Sequence, residues 1–193
     1  DYTSYTLTLT PSASSIYWYS GVKTSTISAK YQKKVNGENS GTATTVTPTL
    51  SISSGSSYVS VSGTTVTGRA TGTATIIGRY GNASGSVTIT VKDYISYGLE
   101  ISPESQTVKL SSGSCSFSAY FKTYTNGKET NSIPVGAASA STTWSSSNTS
   151  VATHYASGTF RLLKTGSTEI TAQYIPIGGG TSYFARAGLY VSS

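Results

Sequence analysis

Apolar and polar residues alternate along many short stretches of this chain, and no window of useful length carries helical periodicity. In Tyr5-Thr6-Leu7-Thr8-Leu9, the residues Tyr5, Leu7 and Leu9 share one face and Thr6 and Thr8 the other. That period of two marks a half-buried strand, and Pro11 ends it because proline cannot donate to a ladder. From residue 24 to 35, Ile27, Ala29, Tyr31 and Val35 fall on one side and Lys30, Gln32 and Lys34 on the other. Asn36-Gly37 then gives a strong turn signal. Further strands are predicted at 16–19, around Leu50 and Ile52, at 58–61, at Val66, and at 73–80, which turns through Gly81-Asn82 into 86–91. The Thr/Gly-rich stretch 36–49 reads as a loop.

The pattern then repeats. Asp1-Tyr2-Thr3-Ser4-Tyr5-Thr6-Leu7-Thr8-Leu9-Thr10-Pro11 returns as Asp93-Tyr94-Ile95-Ser96-Tyr97-Gly98-Leu99-Glu100-Ile101-Ser102-Pro103. A fixed-period repeat divides the chain into modules, here 1–92 and 93–193. In the second module, 108–110 matches 16–18 and Ser112-Gly113 matches Ser20-Gly21. Likewise, a strand over 116–125 matches the long strand, and Asn126-Gly127 matches Asn36-Gly37. A longer loop follows, through Pro134 and the small-residue run 136–141. Strands at 144–147, 151–153, 160–162, 167–174 and 183–191 close the module, the last two joined across Gly178-Gly179-Gly180. Seven or eight short strands in each half, with frequent turn signals, predict an all-β chain of two tandem immunoglobulin-like β-sandwiches. Parity assigns Tyr5, Leu7 and Leu9 to one core and Tyr97, Leu99 and Ile101 to the other. Trp18, Trp144 and Cys115 are also expected inside. Asp93 and Tyr94 fall where the modules meet and are expected at the inter-domain seam. Tyr2 is the first copy of Tyr94 and is expected to be more exposed. The copy at residue 1 reads as a sign of a longer array of neighbouring modules.

Composition agrees with strands. Ser and Thr dominate, and only 10% of residues are charged. The 15 Tyr argue against disorder, because disordered chains are poor in aromatics. The formal net charge of +6 sits mostly in the first module, whose Lys and Arg face only Asp1 and Glu38. Its bases are scattered along strands apart from Lys30, Lys33 and Lys34, so a solvated basic surface is expected rather than nucleic-acid binding. The single cysteine excludes an intrachain disulfide. No segment approaches the roughly 20 apolar residues of a membrane helix, so any export signal or anchor would lie outside these residues.

Little chemistry is written in the chain. His154 is the only histidine, and no local motif surrounds it with the acid that a Ser/His/Asp arrangement needs. It reads as a surface histidine beside a turn. The seven acids are scattered, which supplies neither a glycosidase pair nor a calcium or zinc ligand set. The chain is therefore expected to be non-enzymatic and to bind no metal or cofactor. Tyr17 and Tyr19 have the opposite parity to Trp18 and are expected side by side at the surface, where rings can stack on sugars or on a protein. Lys30 and Lys34 share an outward face and could add an anionic contact. These four residues are the candidate ligand-binding set.

The run Trp144-Ser145-Ser146-Ser147-Asn148-Thr149-Ser150-Val151-Ala152-Thr153, then Gly158, then Thr165-Gly166-Ser167-Thr168-Glu169-Ile170-Thr171-Ala172, resembles the bacterial Ig-like domain, group 2 family. Module one carries looser counterparts in Ile52-Ser53-Ser54, Tyr58-Val59-Ser60-Val61 and Thr71-Gly72-Thr73-Ala74-Thr75-Ile76. The stretches 36–49 and 126–143 depart from the compact family pattern. The resemblance implies a tandem module of exported bacterial or phage proteins, forming stalks, spacing other domains, or serving in intimin- and invasin-like adhesins. The expected function is a cell-surface or secreted protein acting in adhesion or as a stalk or spacer. Its partners would be a host or cell-surface protein or glycan. The alternative is a carbohydrate-binding accessory module of a glycan-capture protein or secreted enzyme.

Overall fold

The structure is a computed structural model and describes residues 1–135 and 141–193. Most of the small-residue run expected as loop therefore lies outside the described residues. The chain divides into two compact units, Asp1–Tyr94 and Ile95–Ser193.

The first unit holds ten strands: β1 (Thr3–Pro11), β2 (Ser15–Tyr17), β3 (Thr24–Val35), β4 (Glu38–Asn39), β5 (Thr44–Val46), β6 (Thr49–Ser54), β7 (Val59–Ser62), β8 (Thr65–Gly68), β9 (Gly72–Tyr80) and β10 (Ala83–Lys92). One sheet runs β1-β3-β8-β7, with β4 and β5 also paired to β3, and the other runs β2-β10-β9-β6. Alternation sends Leu7, Leu9, Ile27, Ala29 and Val66 inward from the first sheet, and Ile16, Ala74, Ile76, Ile89 and Val91 inward from the second. Burying such a side chain stabilises a fold by roughly 1.5–3 kcal/mol. Glycine in β10 leaves room for the facing sheet. A Cβ on Gly85 would lie 2.3 Å from the Leu7 carbonyl oxygen. Along one edge, β2 runs parallel to β10, pairing Ile16 with Val91.

The second unit repeats the plan with β11 (Ile95–Ser102), β12 (Ser105–Lys109), a 3-10 turn Leu110–Ser112, β13 (Ser114–Ser116), β14 (Ser118–Thr125), β15 (Lys128–Pro134), β16 (Thr142–Ser146), β17 (Ala152–Ala156), β18 (Thr159–Leu162), β19 (Gly166–Tyr174) and β20 (Tyr183–Ser192). Its sheets are β11-β14-β15, β13-β18-β17 and β12-β20-β19-β16, with β12 parallel to β20. The core centres on Phe160, which is fully buried and meets Phe117 at 6.1 Å and Trp144 at 6.3 Å edge-on. Each unit is an immunoglobulin-like β-sandwich.

Several expectations need correction. Tyr5 and Tyr97 share the inward parity of their strands yet are 36% and 51% exposed. They lie at the margin of the buried stretch of their strands, where the rings stack at 5.1 Å on Tyr31 and at 5.6 Å on Phe121. A phenol ring has an apolar body and a polar tip, which suits that margin. Stretch 36–49 is not all loop, since β4 and β5 pair with β3 there, and β15 occupies much of the loop expected after Asn126. The strand expected at 116–125 starts earlier and breaks at Phe117, because β13 pairs with β18 whereas β14 pairs with β11. Finally, β2 ends at Tyr17. Trp18 lies beyond it, half-buried against the core, while Trp144 and Cys115 are buried.

Candidate functional site

Residues of β1 and β3 build the outward face of the first unit's larger sheet. Thr6 pairs with Gln32, Thr8 with Lys30, and Ser4 with Lys34. Alternation places Thr6, Thr8, Lys30, Gln32 and Lys34 on the solvent side, where they floor a shallow depression of about 330 Å³ completed by Asn39 and Ala43. The Gln32 amide donates to the carbonyls of Lys33 (2.7 Å), Ser40 (3.3 Å) and Gly41 (3.3 Å). That ties the turn after β4 to the rim. Lys30 is exposed and Lys34 half-buried. Among the described residues neither has a carboxylate within ion-pair distance. The face offers two ammonium groups among hydroxyls and amides, an arrangement that can hold an anionic or polyhydroxyl partner without any reaction.

The two candidate tyrosines belong elsewhere. Tyr17 ends β2 in the other sheet and is half-buried, with Tyr94 edge-on to its ring at 5.7 Å. Gly21, at φ +78°, fits against both rings, and a Cβ there would come within 3.1 Å of Tyr17. Tyr19 is 44% exposed and lies edge-on to Trp18 at 6.1 Å. The expected exposed pair is therefore absent, because the strand stops at Tyr17 and alternation stops with it. Asp93 accepts a hydrogen bond from the Thr71 hydroxyl, so both residues assigned to the seam have contacts within the first unit. Tyr2 is 74% exposed.

The equivalent face of the second unit is chemically different. There Lys122 Nζ contacts Glu100 and lies 3.0 Å from Glu129. Hydrogen bonds to Glu100 and then Glu129 hold its ammonium well above the ordinary lysine range. His154 is exposed, with its ring 5.5 Å from that of Phe160. Burial pushes the Cys115 thiol up, which suits a core residue rather than a reactive one. No group of three or more His, Cys, Asp or Glu side chains comes together among the described residues, and no helix there is long and apolar enough to cross a membrane.

Sequence reasoning passed over a second depression of about 330 Å³ in this unit, lined by Ser112, Gly113, Ser114, Tyr155, Thr159 and Arg161. A usable signal existed: aligned on its hairpin turn, the second module has one residue more between Val151 and Thr159 than the first has over its matching strand.

No family model matches the chain, and no curated protein matches it. Similar solved structures include domains 4 and 5 of the surface layer protein SbsC, at 18% identity and a TM-score of 0.35 over 97% of this chain and 98% of that one. A structure of SbsC domains 1-6 gives 17% identity and a TM-score of 0.36, and this chain covers 28% of its length. Drosophila N-cadherin EC1-4 gives 13% identity and a TM-score of 0.40 over 93% of this chain and 47% of that one. At these values the likenesses carry nothing about activity or partners.

Proposed function

We propose that the chain is a non-enzymatic part of a cell-surface or secreted protein, acting in adhesion or as a stalk or spacer. Its exported setting and its place in the group 2 bacterial Ig-like family belong to the same proposal. The observation that carries the reading is the presence of two self-contained sandwiches with separate cores. Their chemistry-bearing side chains stand apart, while one broad face carries Lys30 and Lys34, which have no carboxylate within ion-pair distance among the described residues. Such units suit stacking in a row and touching a partner through their sides. The partner that the lysine face suits is an acid-bearing host or cell-surface protein or glycan.

Affinity electrophoresis against acidic and neutral polysaccharides tests this reading. Retardation by acidic polymers alone, relieved in the double variant Lys30→Ser/Lys34→Ser, supports adhesion through this face. Migration unchanged in every gel supports the spacer role. Progressive shortening of any polysaccharide on incubation with the purified chain overturns the non-enzymatic reading.

The second reading, a carbohydrate-binding accessory module, is favoured by the hydroxyl and amide groups of Thr6, Thr8, Gln32 and Asn39 around the same depression. Retardation by neutral polysaccharides, weakened by Gln32→Ala or Tyr19→Ala, selects it.

A further inference from the structure

The hairpin β17–β18 of the second unit carries an irregularity that its counterpart lacks. Its pairing passes from His154 opposite Phe160 to Ala156 opposite Thr159, which leaves Tyr155 as an extra residue in the ladder. The matching hairpin β7–β8 pairs Val59–Ser62 with Thr65–Gly68 without interruption. A bulge re-aims a side chain and bends its strand. Here it presents Tyr155, 69% exposed, beside Arg161, whose guanidinium carbon stands 5.3 Å from the ring centroid. Among the described residues Arg161 has no carboxylate within ion-pair distance, whereas Arg186 is paired with Glu169.

The same two side chains wall the depression floored by Ser112, Gly113 and Ser114 and closed by Thr159. Register places Arg161 directly opposite Ser114 on the neighbouring strand. The Thr159 hydroxyl is held by that of Ser116 at 3.0 Å.

We propose that this depression is a binding subsite for a carboxylated sugar, such as a uronic acid residue within an oligosaccharide. Each wall answers one part of that ligand. The guanidinium presents a planar donor fork that matches a carboxylate in two parallel hydrogen bonds. Its contact with the Tyr155 ring restricts an otherwise flexible side chain, so less freedom is lost on binding. The ring offers an apolar surface to the C–H face of a sugar. The hydroxyls of Ser112, Ser114 and Thr159 can exchange hydrogen bonds with sugar hydroxyls, which an acidic peptide side chain would not supply. The volume suits one or two rings. Thr67 stands at the Arg161 position in the first unit, and no inserted tyrosine faces it. The subsite therefore belongs to the second unit alone. It deepens the adhesion reading but is separable from it, because the lysine face lies on the other unit.

The test is amide-resolved NMR titration of the full chain with tri-galacturonate and, in parallel, with its fully methyl-esterified form. Binding in the millimolar range is expected, with shifts at 112–114 and 155–161. The ester is expected to bind roughly ten- to a hundredfold more weakly, the usual range for losing a hydrogen-bonded charge. Arg161→Lys keeps the charge and is expected to lose most of the affinity, because it lacks the planar fork. Tyr155→Phe is expected to bind as the parent does, and Tyr155→Ala more weakly. Both arginine and tyrosine positions are exposed, so folding is expected to persist, and an unchanged amide spectrum without ligand checks it. Equal binding of acid and ester overturns the proposal, as does the absence of shifts at 112–114 and 155–161. Shifts confined to residues 30–34 also overturn it while leaving the adhesion reading intact. The absence of shifts at both places overturns the subsite and leaves the stalk or spacer part of the earlier reading standing.

Discussion

The outward face of β1 and β3 and the outward face of β11 and β14 occupy equivalent positions in two copies of one plan. They have diverged in charge. Leu7 opposite Tyr31 corresponds to Leu99 opposite Phe121, and Leu9 opposite Ala29 to Ile101 opposite Ala119. The inward set is thus nearly the same in size and shape. On the outside, Thr8 becomes Glu100, Gln32 becomes Lys122, and Lys30 and Lys34 become Tyr120 and Tyr124. The second face cancels its own charge through Glu100, Lys122 and Glu129, while the first carries two lysines with no carboxylate in ion-pair distance among the described residues. Packing restricts the inner positions because a change of even one methylene is felt in a dense core. Outer positions carry no such restriction, so partner chemistry can change without cost to the sandwich.

Separate cores give the largest expected effect. Ile76 and Ile170 are matching, fully buried residues of β9 and β19. Ile76→Ala and Ile170→Ala are each expected to cost about 2–5 kcal/mol. Each loss is expected only in the unfolding transition of its own unit, followed in urea by Trp18 for the first and Trp144 for the second. A single transition that moves alike in both variants would show that the units melt as one body.

The hairpin turns give the next effect. Gly158, at φ +80°, corresponds to Thr64, and the two carbonyls accept from Phe117 and Ile27 respectively. A Cβ on Gly158 would lie 2.3 Å from the Phe117 carbonyl oxygen. Gly158→Ala is therefore expected to cost about 1–3 kcal/mol, while Thr64→Ala changes stability by less than about 0.5 kcal/mol. Equal midpoints in denaturant would erase this difference between the turns.

A smaller effect is expected from Lys122→Met, read as the stability difference from the parent across pH. The folded-state pKa of Lys122 is raised, so its contribution is fully present below the unfolded lysine value of about 10.4 and is lost only as pH rises through the folded value. Between neutrality and mildly alkaline pH, ionisation of Lys122 should leave the difference between parent and variant flat. A decline already complete below the unfolded value would contradict the cause assigned here. The smallest effect belongs to the first face: Lys30→Ser/Lys34→Ser is expected to move thermal stability by less than about 0.5 kcal/mol. A larger loss would mean that the two lysines support the sheet rather than stand free on it.

Much of the sandwich could be read from alternation, because β1, β3, β9, β10, β19 and β20 each bury one side of a regular strand. What escaped has physical causes. β4, β5 and β15 bury almost nothing: every residue of β15 is exposed, so no apolar rhythm announces them, and they exist through backbone pairing to a longer neighbour. The break at Phe117 reflects a change of hydrogen-bonding partner, which leaves no trace in the order of apolar and polar residues. Tyr17 and Tyr19 were placed by extending a strand beyond its end. Lys30 and Lys34 were legible as neighbours on one face, since β3 is regular over its whole length. Tyr155 and Arg161 do not show in alternation, and the one trace of their bulge is the added residue between Val151 and Thr159.

The parallel edge pairs, β2 with β10 and β12 with β20, bear on what happens when the chain is pulled. In each unit the second strand, β2 or β12, runs beside the last strand in the same direction, and the two lead into the rest of the chain at opposite ends. Tension drawn between those ends tries to slide one strand along the other, so the hydrogen bonds of the pair share the load and must fail together. A pair drawn open from one end would instead yield bond by bond. Each unit therefore carries a mechanical latch at one sheet edge, loaded once tension has passed through the strand before it, β1 or β11.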